Sequence, residues 1–447
     1  MFFPLAASIP RCNRAFPFRR RICTAALSLG LAFCAPAFAT DTPLTLAQAQ
    51  RLAVLRSRQL PAQDAAIAAA GEMAVAAGQL PDPVLKAGID NLPVSGPDRL
   101  SLGNDFMTMR RIGVMQELTR SDKRQLRAER FEREADRSRA ARMAAVAAIE
   151  RDTALAWLDR YYAERMAAVA DDQAEQASQE VDAASGAYRA GRGSQADILV
   201  ARSALVMVKD RTSELQRRVR NARTMLARWT GFDADAPLAG QPAIDAIDLD
   251  PASLDSQLAH HPQIAVLNRQ EDIAQTEAKL AQANKTSDWS VEVAFQQRGP
   301  AYSNMISLGV SLPLQWDRKN RQDRELAAKL AMVEQAKAER DEMLRAHVAE
   351  TRAMIDEWEN GRERHARYER DLIPLAGERT VATLTAYRGG KASLADVLAA
   401  RRGEIDVRLQ ALQLQMEMAR LWAQLNFLLP AATAAAEPAK HMNTDAK

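Results

Sequence analysis

The sequence predicts a mainly α-helical chain with membrane β-structure: long antiparallel coiled-coil helices plus two β-hairpins in each protomer. Three observations carry this. A turn motif occurs twice, about half the chain apart; a long segment has neither glycine nor proline; and two pairs of segments alternate apolar with polar residues. The composition agrees. Aromatic residues make up only 5% of 447 residues and charged residues 26%, the balance of long helices rather than ordinary globular domains. A net charge of +3 gives no footprint for nucleic acid.

The N-terminus reads as an export signal. Arg19, Arg20 and Arg21 precede the apolar stretch Ile22 to Phe33, and Ala37-Phe38-Ala39 supplies a small-x-small cleavage pattern. Residues 1–39 are therefore expected to be removed near Ala39. The apolar run is short of the ~20 residues a spanning helix needs. Phe33 before Cys34 argues against lipidation. All three cysteines (Cys12, Cys23, Cys34) lie in this segment, so the remainder offers no disulfide, thiolate or cysteine metal site. No later segment has the 18 uncharged apolar residues of a transmembrane helix; any membrane crossing must use strands.

The repeat is Ala187 to Leu199 against Ala386 to Leu398. Each copy reads Ala-Tyr-Arg, then a glycine-bearing turn, then Ser-x-x-Asp and two aliphatic residues. Glycine suits the left-handed position that ends a helix, and Ser-x-x-Asp resembles a capping box that starts the next. Both copies predict tight reversals between helices, at 186–194 and 387–394. Before the first, Ser121 to Ser185 reads as one helix of roughly 95 Å at ~1.5 Å per residue. Its partner runs from about Arg318 to Tyr387, with Gly361 and Pro374 as expected kinks. Shorter helices return at about Gln195–Trp229 and Leu394–Leu428. Heptad-like spacing of Ile198, Leu205, Leu215, Val219 and Leu226, and of Leu398, Ile405, Leu409 and Met416, gives each a coiled-coil seam. The chain thus divides into a first structural repeat at 40–245, a second at 246–430, and a disordered tail at 431–447.

The hairpins are expected at 83–119 and 287–316. Trp289, Val291, Val293 and Phe295 alternate with Ser290, Glu292, Ala294 and Gln296. Ile306, Leu308, Val310, Leu312 and Leu314 do the same in the strand that follows Gly299-Pro300. Alternation over about ten residues suits a membrane strand, apolar to lipid and polar to a lumen. It also suits a half-buried soluble hairpin; the export signal and the long helices favour the membrane. In the first half, Leu85, Ala87 and Ile89 oppose Lys86, Gly88 and Asp90. Ile112, Val114 and Leu118 follow, with Arg110 and Gln116 interrupting the apolar face. Four strands cannot close a barrel, the smallest closed membrane barrels have about eight, and an open edge is forbidden in lipid. Several chains must share one barrel.

The residues resemble the TolC family of outer-membrane efflux proteins over essentially the whole chain beyond the signal. The segments from Tyr188 and Gly191 to Asp197-Ile198-Leu199, and from Tyr387 and Gly390 to Asp396-Val397-Leu398, are similar to its Tyr-x-x-Gly…Asp-Val-Leu turns. Leu80-Pro81-Asp82-Pro83, Asn91-Leu92-Pro93, Phe106 to Glu117 and Lys123-Arg124 resemble its heavy-metal, CzcC-like branch. The resemblance implies a homotrimer with a twelve-stranded barrel in outer-membrane lipid above a tunnel of twelve helices in the periplasm. It implies a passive exit duct of a tripartite pump, with a periplasmic adaptor and an inner-membrane RND-type pump as partners and no cofactor. Gly191, Arg192, Gly193 and Ser194 with Gly390, Lys391, Ala392 and Ser393 fall at the adaptor-docking tip. Tyr387 and Asp396 fall at gate positions, Asp396 as a carboxylate ring; a second family carboxylate falls at Ala399 here. The structural alternative for Asp396 is a helix cap on Ser393.

Other chemistry has little support. The sequence has no nucleophile elbow, P-loop, dinucleotide fingerprint or His-Glu-x-x-His. His260-His261-Pro262 is a candidate metal pair or, more simply, a loop end with proline opening a helix. Met107, Met109 and Met115 share the luminal parity, where thioethers suit Cu(I) or Ag(I) as well as ordinary packing. Trp289 and Trp316 read either as membrane-interface residues or as packing at the junction with the helices. Cargo is expected to be heavy-metal cations; drugs or a secreted protein are the alternatives within the same channel. A soluble periplasmic coiled-coil scaffold is the alternative of another class.

Overall fold

The computed structural model describes residues 43–231 and 235–428. The expected signal segment and C-terminal tail lie outside the described residues. Two short helices, α1 (Leu46–Arg56) and α2 (Gln59–Ala77), lead into strands β1 (Val84–Asp90) and β2 (Met109–Leu118). Helix α3 (Ser121–Arg189) follows, then α4 (Gln195–Thr230). A linker with one short helix, α5 (Leu254–Leu258), leads to α6 (Pro262–Ala283), β3 (Trp289–Gln297) and β4 (Met305–Ser311). Helices α7 (Gln322–Arg367), α8 (Ile373–Arg388) and α9 (Leu394–Asn426) complete the second half.

Helix α3 has 69 residues, about 100 Å at 1.5 Å per residue. It runs through Gly186, where a lone glycine costs only about 1 kcal/mol against alanine and does not stop the helix. The partner of α3 differs from expectation. Gly361 lies inside α7 without a break, and a Cβ there would sit 2.7 Å from Met418 Cγ of α9. Its role is close helix approach, not a kink. The interruption comes instead at Tyr368–Leu372, a π-helical turn just before Pro374. Proline has no N–H for the carbonyl of Arg370 and its ring crowds that carbonyl; the wider turn absorbs both.

The four strands form one antiparallel sheet in the order β1-β2-β3-β4, so the two hairpins join through β2 and β3. Strand β4 stops at Ser311, short of Leu312 and Leu314 of the expected alternation, because Pro313 has no N–H to offer a ladder. Where sheet meets helices, Lys123 is 3% exposed and its Nζ lies 2.7 Å from Asp288 Oδ2 and 2.5 Å from Thr286 O. Asp288 also accepts from the Arg120 N–H at 3.0 Å, tying the start of α3 to the start of β3.

The main core forms where α3, α4, α7 and α9 meet the linker segments. Two buried tryptophans occupy matching places. Trp157 on α3 donates Nε1–H to Leu44 O at 3.0 Å, and Trp358 on α7 donates to Ile244 O at 3.2 Å. Leu44 in turn bridges Leu238, so irregular backbone is paired at the waist of each half. Trp157→Phe and Trp358→Phe each leave a carbonyl without its indole donor. Each should lower stability by about 1–3 kcal/mol, seen as a lower thermal midpoint with helical content unchanged at 25 °C.

Candidate functional site

The sheet sorts its residues by parity into two chemically different faces. Across the strands, Ala87, Ile112, Phe295 and Ile306 form one register row, and Leu85, Val114, Val293 and Leu308 the next. These side chains are exposed, with Leu308 at 79%. From Trp289 to Phe295 the apolar band is about 20 Å tall at ~3.3 Å per residue, near the ~25 Å of membrane barrels. The polar residues that interrupt the pattern sit at the ends of β2. Arg110 is at one end, and Gln116 at the other folds back to donate to Pro81 O at 2.7 Å. The band between them is unbroken.

The opposite face carries charge. Glu292 pairs with Lys86 at 2.7 Å and with Arg111, and Arg111 NH1 lies 3.8 Å from Asp90 Oδ2. Lys86 reaches across the neighbouring strand because Gly113 stands opposite it; a Cβ at Gly113 would be 2.7 Å from that of Ala294. Met109 and Met115 share this face and are half-buried, whereas Met107 precedes β2 and does not belong to the strand. The charged cluster escapes sequence reading, since its members lie up to 206 residues apart.

At the far end of the helices the two reversals are built alike. Helix α3 continues to Arg189 and α8 to Arg388, so the turns are 190–194 and 389–393. Gly191 (φ 70°) and Gly390 (φ 72°) take the left-handed conformation. The N–H groups of Arg192 and Lys391 then return to Ala187 O at 2.9 Å and Ala386 O at 2.8 Å. Ser194 and Ser393 cap α4 and α9, each accepting from the aspartate N–H three residues on at 3.2 Å. The aspartates reciprocate: Asp197 and Asp396 each accept from the serine N–H and Oγ–H through Oδ2. For Asp396 the serine hydroxyl and then the backbone N–H hold the carboxyl below its usual range; for Asp197 the same two donors act, backbone first.

Arg192 and Lys391 are exposed, with no ion pair among the described residues, and Gly193 and Ala392 are half-buried beside them. The tyrosines differ. Tyr188 is exposed, whereas Tyr387 packs against the cluster of Ala184, Ala201, Ala204, Leu394 and Leu398 that joins the two tips. Arg401 of α9 pairs with Glu180 of α3, and Arg211 of α4 with Asp406 of α9, bridging the halves above this cluster.

No family model and no curated protein matches the chain. Solved structures do. The outer-membrane channel OprN is similar at 17% identity and a TM-score of 0.72, covering 86% of this chain and 89% of that one. The outer membrane protein VceC from Vibrio cholerae is similar at 16% identity and 0.69, covering 86% and 95%. CusC, described for folding and transmembrane channel formation, is similar at 15% identity and 0.71, covering 85% and 92%. The chain has the fold of these outer-membrane proteins. Among its described residues no helix is long and apolar enough to cross a membrane.

The histidine pair turns apart. His260 Nδ1 lies 2.9 Å from Ser256 O, while His261 caps α6, its Nδ1 accepting from the Gln263 N–H at 3.3 Å. Pro262 opens the helix. The ring of His261 lies 4.6 Å from that of His347, tilted by 41°. Burial, then His347, then Arg151 push the His261 pKa down to about 4. An unfolded chain holds this histidine near ~6.5, so between pH 6.5 and 4 the unfolded state binds the extra proton. Stability should therefore fall as pH drops through that window. His261→Asn keeps a capping acceptor without titrating, and should flatten the dependence of the thermal midpoint between pH 7.5 and 4.5.

The tip geometry gives a second test, one of opposite signs. Gly191→Ala and Gly390→Ala force alanine into the left-handed region, at roughly 1–2 kcal/mol. Gly186→Ala, helical and with open space for a Cβ, should stabilise by about 0.5–1 kcal/mol. Hydrogen exchange of tip amides should speed up for the first two and slow for the third.

Proposed function

We propose that the chain is one third of a homotrimeric outer-membrane channel, the passive exit duct of a tripartite efflux pump. The observation that carries this is the sheet. It turns an apolar band outward, gathers charge on the other face, and leaves β1 and β4 each with one unpaired edge. Lipid tolerates no open edge, so the sheet has to be closed by copies of itself. Three protomers give twelve strands, and the long helices below them form the walls of a periplasmic tunnel. The charged inner face then lines a water-filled lumen. A conduit of this kind needs no reacting group.

The two basic turns are the surface for a periplasmic adaptor: Gly191, Arg192, Gly193 and Ser194, with Gly390, Lys391, Ala392 and Ser393. An inner-membrane RND-type pump supplies the energy. Tyr387 and Asp396 are the gate candidates, supported by the packing of Tyr387 between the tips and by the ionised state that capping favours in Asp396. For cargo we propose heavy-metal cations, supported by the CzcC-like residues at 80–83, 91–93 and 106–117 and by Met109 and Met115 on the charged face. Among the described residues no group of three or more metal-ligating side chains converges.

Two measurements test the reading in layers. Purified protein should run as a detergent-stable oligomer of three times the protomer mass, recovered with outer membranes; monomer in the soluble fraction would overturn the channel. A deletion strain should lose tolerance to at least one of zinc, cobalt, cadmium, copper and silver. Unchanged tolerance to all five would remove the metal cargo and leave the channel standing.

A further inference from the structure

A groove of about 400 Å³ opens where the sheet meets the helices, at the end of the second hairpin. Its walls are Trp289, Leu312 and Leu314, all exposed and all continuing the outward apolar parity. Its floor is polar, with Lys285 and Arg318. Arg318 NH2 donates to Lys285 O at 2.5 Å, which fixes the guanidinium at the rim, and Lys285 Nζ lies 2.7 Å from Asp323. Two residues beyond Leu314 comes Trp316, at 88% exposure the most exposed large hydrophobic residue among those described.

The segment after Trp316 is basic. Arg318, Lys319, Arg321 and Arg324 stand against Asp317 and Asp323, and none of the four cations has an ion pair among the described residues. The matching junction of the first half is different. There Arg120 pairs with Asp122, Lys123 with Asp288, and Arg124 donates to Gly78 O. The first junction pairs Arg120 and Lys123 with carboxylates; in the second, Lys285 pairs with Asp323, while Arg318, Lys319, Arg321 and Arg324 have no carboxylate partner among the described residues.

We infer that this groove binds an anionic glycerophospholipid of the leaflet nearest the helices. The phosphate sits against Arg318 and Lys285, one acyl chain lies along Trp289, Leu312 and Leu314, and Trp316 rests at the glycerol level. An indole suits that depth, being apolar in body with one polar N–H. Lys285 is already paired with Asp323, so it is the surplus of Arg318, Lys319, Arg321 and Arg324 that favours a net negative lipid over a zwitterionic one. Continuity of the walls with the outward band favours a lipid over a free anion, which would gain nothing from three apolar side chains. The inference rests on the membrane reading above.

The test uses the full protein in phosphatidylcholine vesicles with a minor fraction of brominated lipid, reading tryptophan quenching. Brominated phosphatidylglycerol should quench several-fold more per mole than brominated phosphatidylcholine. Trp316→Phe should remove part of that excess. R318Q/K319Q should bring the two lipids to parity with phosphatidylcholine quenching unchanged, showing the protein still inserted. K319Q/R321Q, which touches no hydrogen bond to the backbone, should reduce the excess without abolishing it. Equal quenching in the unaltered protein, or an excess that survives R318Q/K319Q, would overturn the site. Absence of quenching by either lipid would instead overturn the membrane reading itself.

Discussion

Two indole N–H groups hold the waist of the molecule, and the long helices depend on them. A helix of about 100 Å cannot be positioned by its ends alone, because small bends accumulate along its length. Trp157 fixes α3 near its middle and Trp358 fixes α7 in its last quarter, by donating to backbone carbonyls at Leu44 and Ile244. Leu44 O also accepts from the Ala239 N–H at 3.2 Å, so the indole adds a second bond there, whereas at Ile244 it is the donor that keeps the carbonyl paired. Around these points lie the buried Arg160, bonded to Glu164 and to Ala236 O, and Trp422, bonded to Ala246 O. From that waist the sheet projects one way and the turns the other. Each end can therefore be chemically specialised without carrying the fold.

The sheet end is governed by edge pairing. Apolar side chains outward on every strand would be an aggregation hazard on a soluble hairpin. They become an ordinary solvent-facing surface only if the solvent is hydrocarbon. The charged inner face then needs water, and a single layer of four strands cannot enclose any. In the channel we propose, closure by identical copies accommodates the outward band, the inward ion pairs and the two free edges together. The junction below completes this logic. Lys123 and Asp288 lock strand to helix inside the protomer, while the cations after Trp316 face outward.

Much of this was legible in the sequence, and the rest failed for identifiable reasons. Strand parity was readable because alternation depends only on the two-residue repeat of extended backbone. The turns were readable because glycine and Ser-x-x-Asp act locally. Of the two kinks expected in the second long helix, the break falls just before Pro374 and not at Gly361, since a glycine that permits close approach to Met418 looks the same in sequence as one that bends a helix. Met107 was assigned to a strand that begins two residues later, at Met109. The Lys86–Glu292–Arg111 cluster had no local signal at all, because it exists only once the register of three strands is set. The groove beneath Trp316 was half legible: the exposed tryptophan could be suspected, but not the cations left unpaired beside it.

The two roles open to Asp396, helix cap and gate carboxylate, are compatible. The cap uses one oxygen: Oδ2 accepts both bonds from Ser393. An ionised carboxylate offers about four acceptor sites, so Oδ1 keeps its capacity for a cation or a partner chain. Capping also holds the carboxyl below its usual range, so a cap keeps the charge in place rather than consuming it. Asp197 is capped in the same way, so the difference between the tips lies elsewhere. Tyr387 packs into the alanine-lined seam between them, whereas Tyr188 stays outside it. If the tips move apart to open the duct we propose, Tyr387 must leave that seam and the Arg401–Glu180 and Arg211–Asp406 pairs must part. Asp396, bonded among the described residues only within its own turn, can travel with the tip.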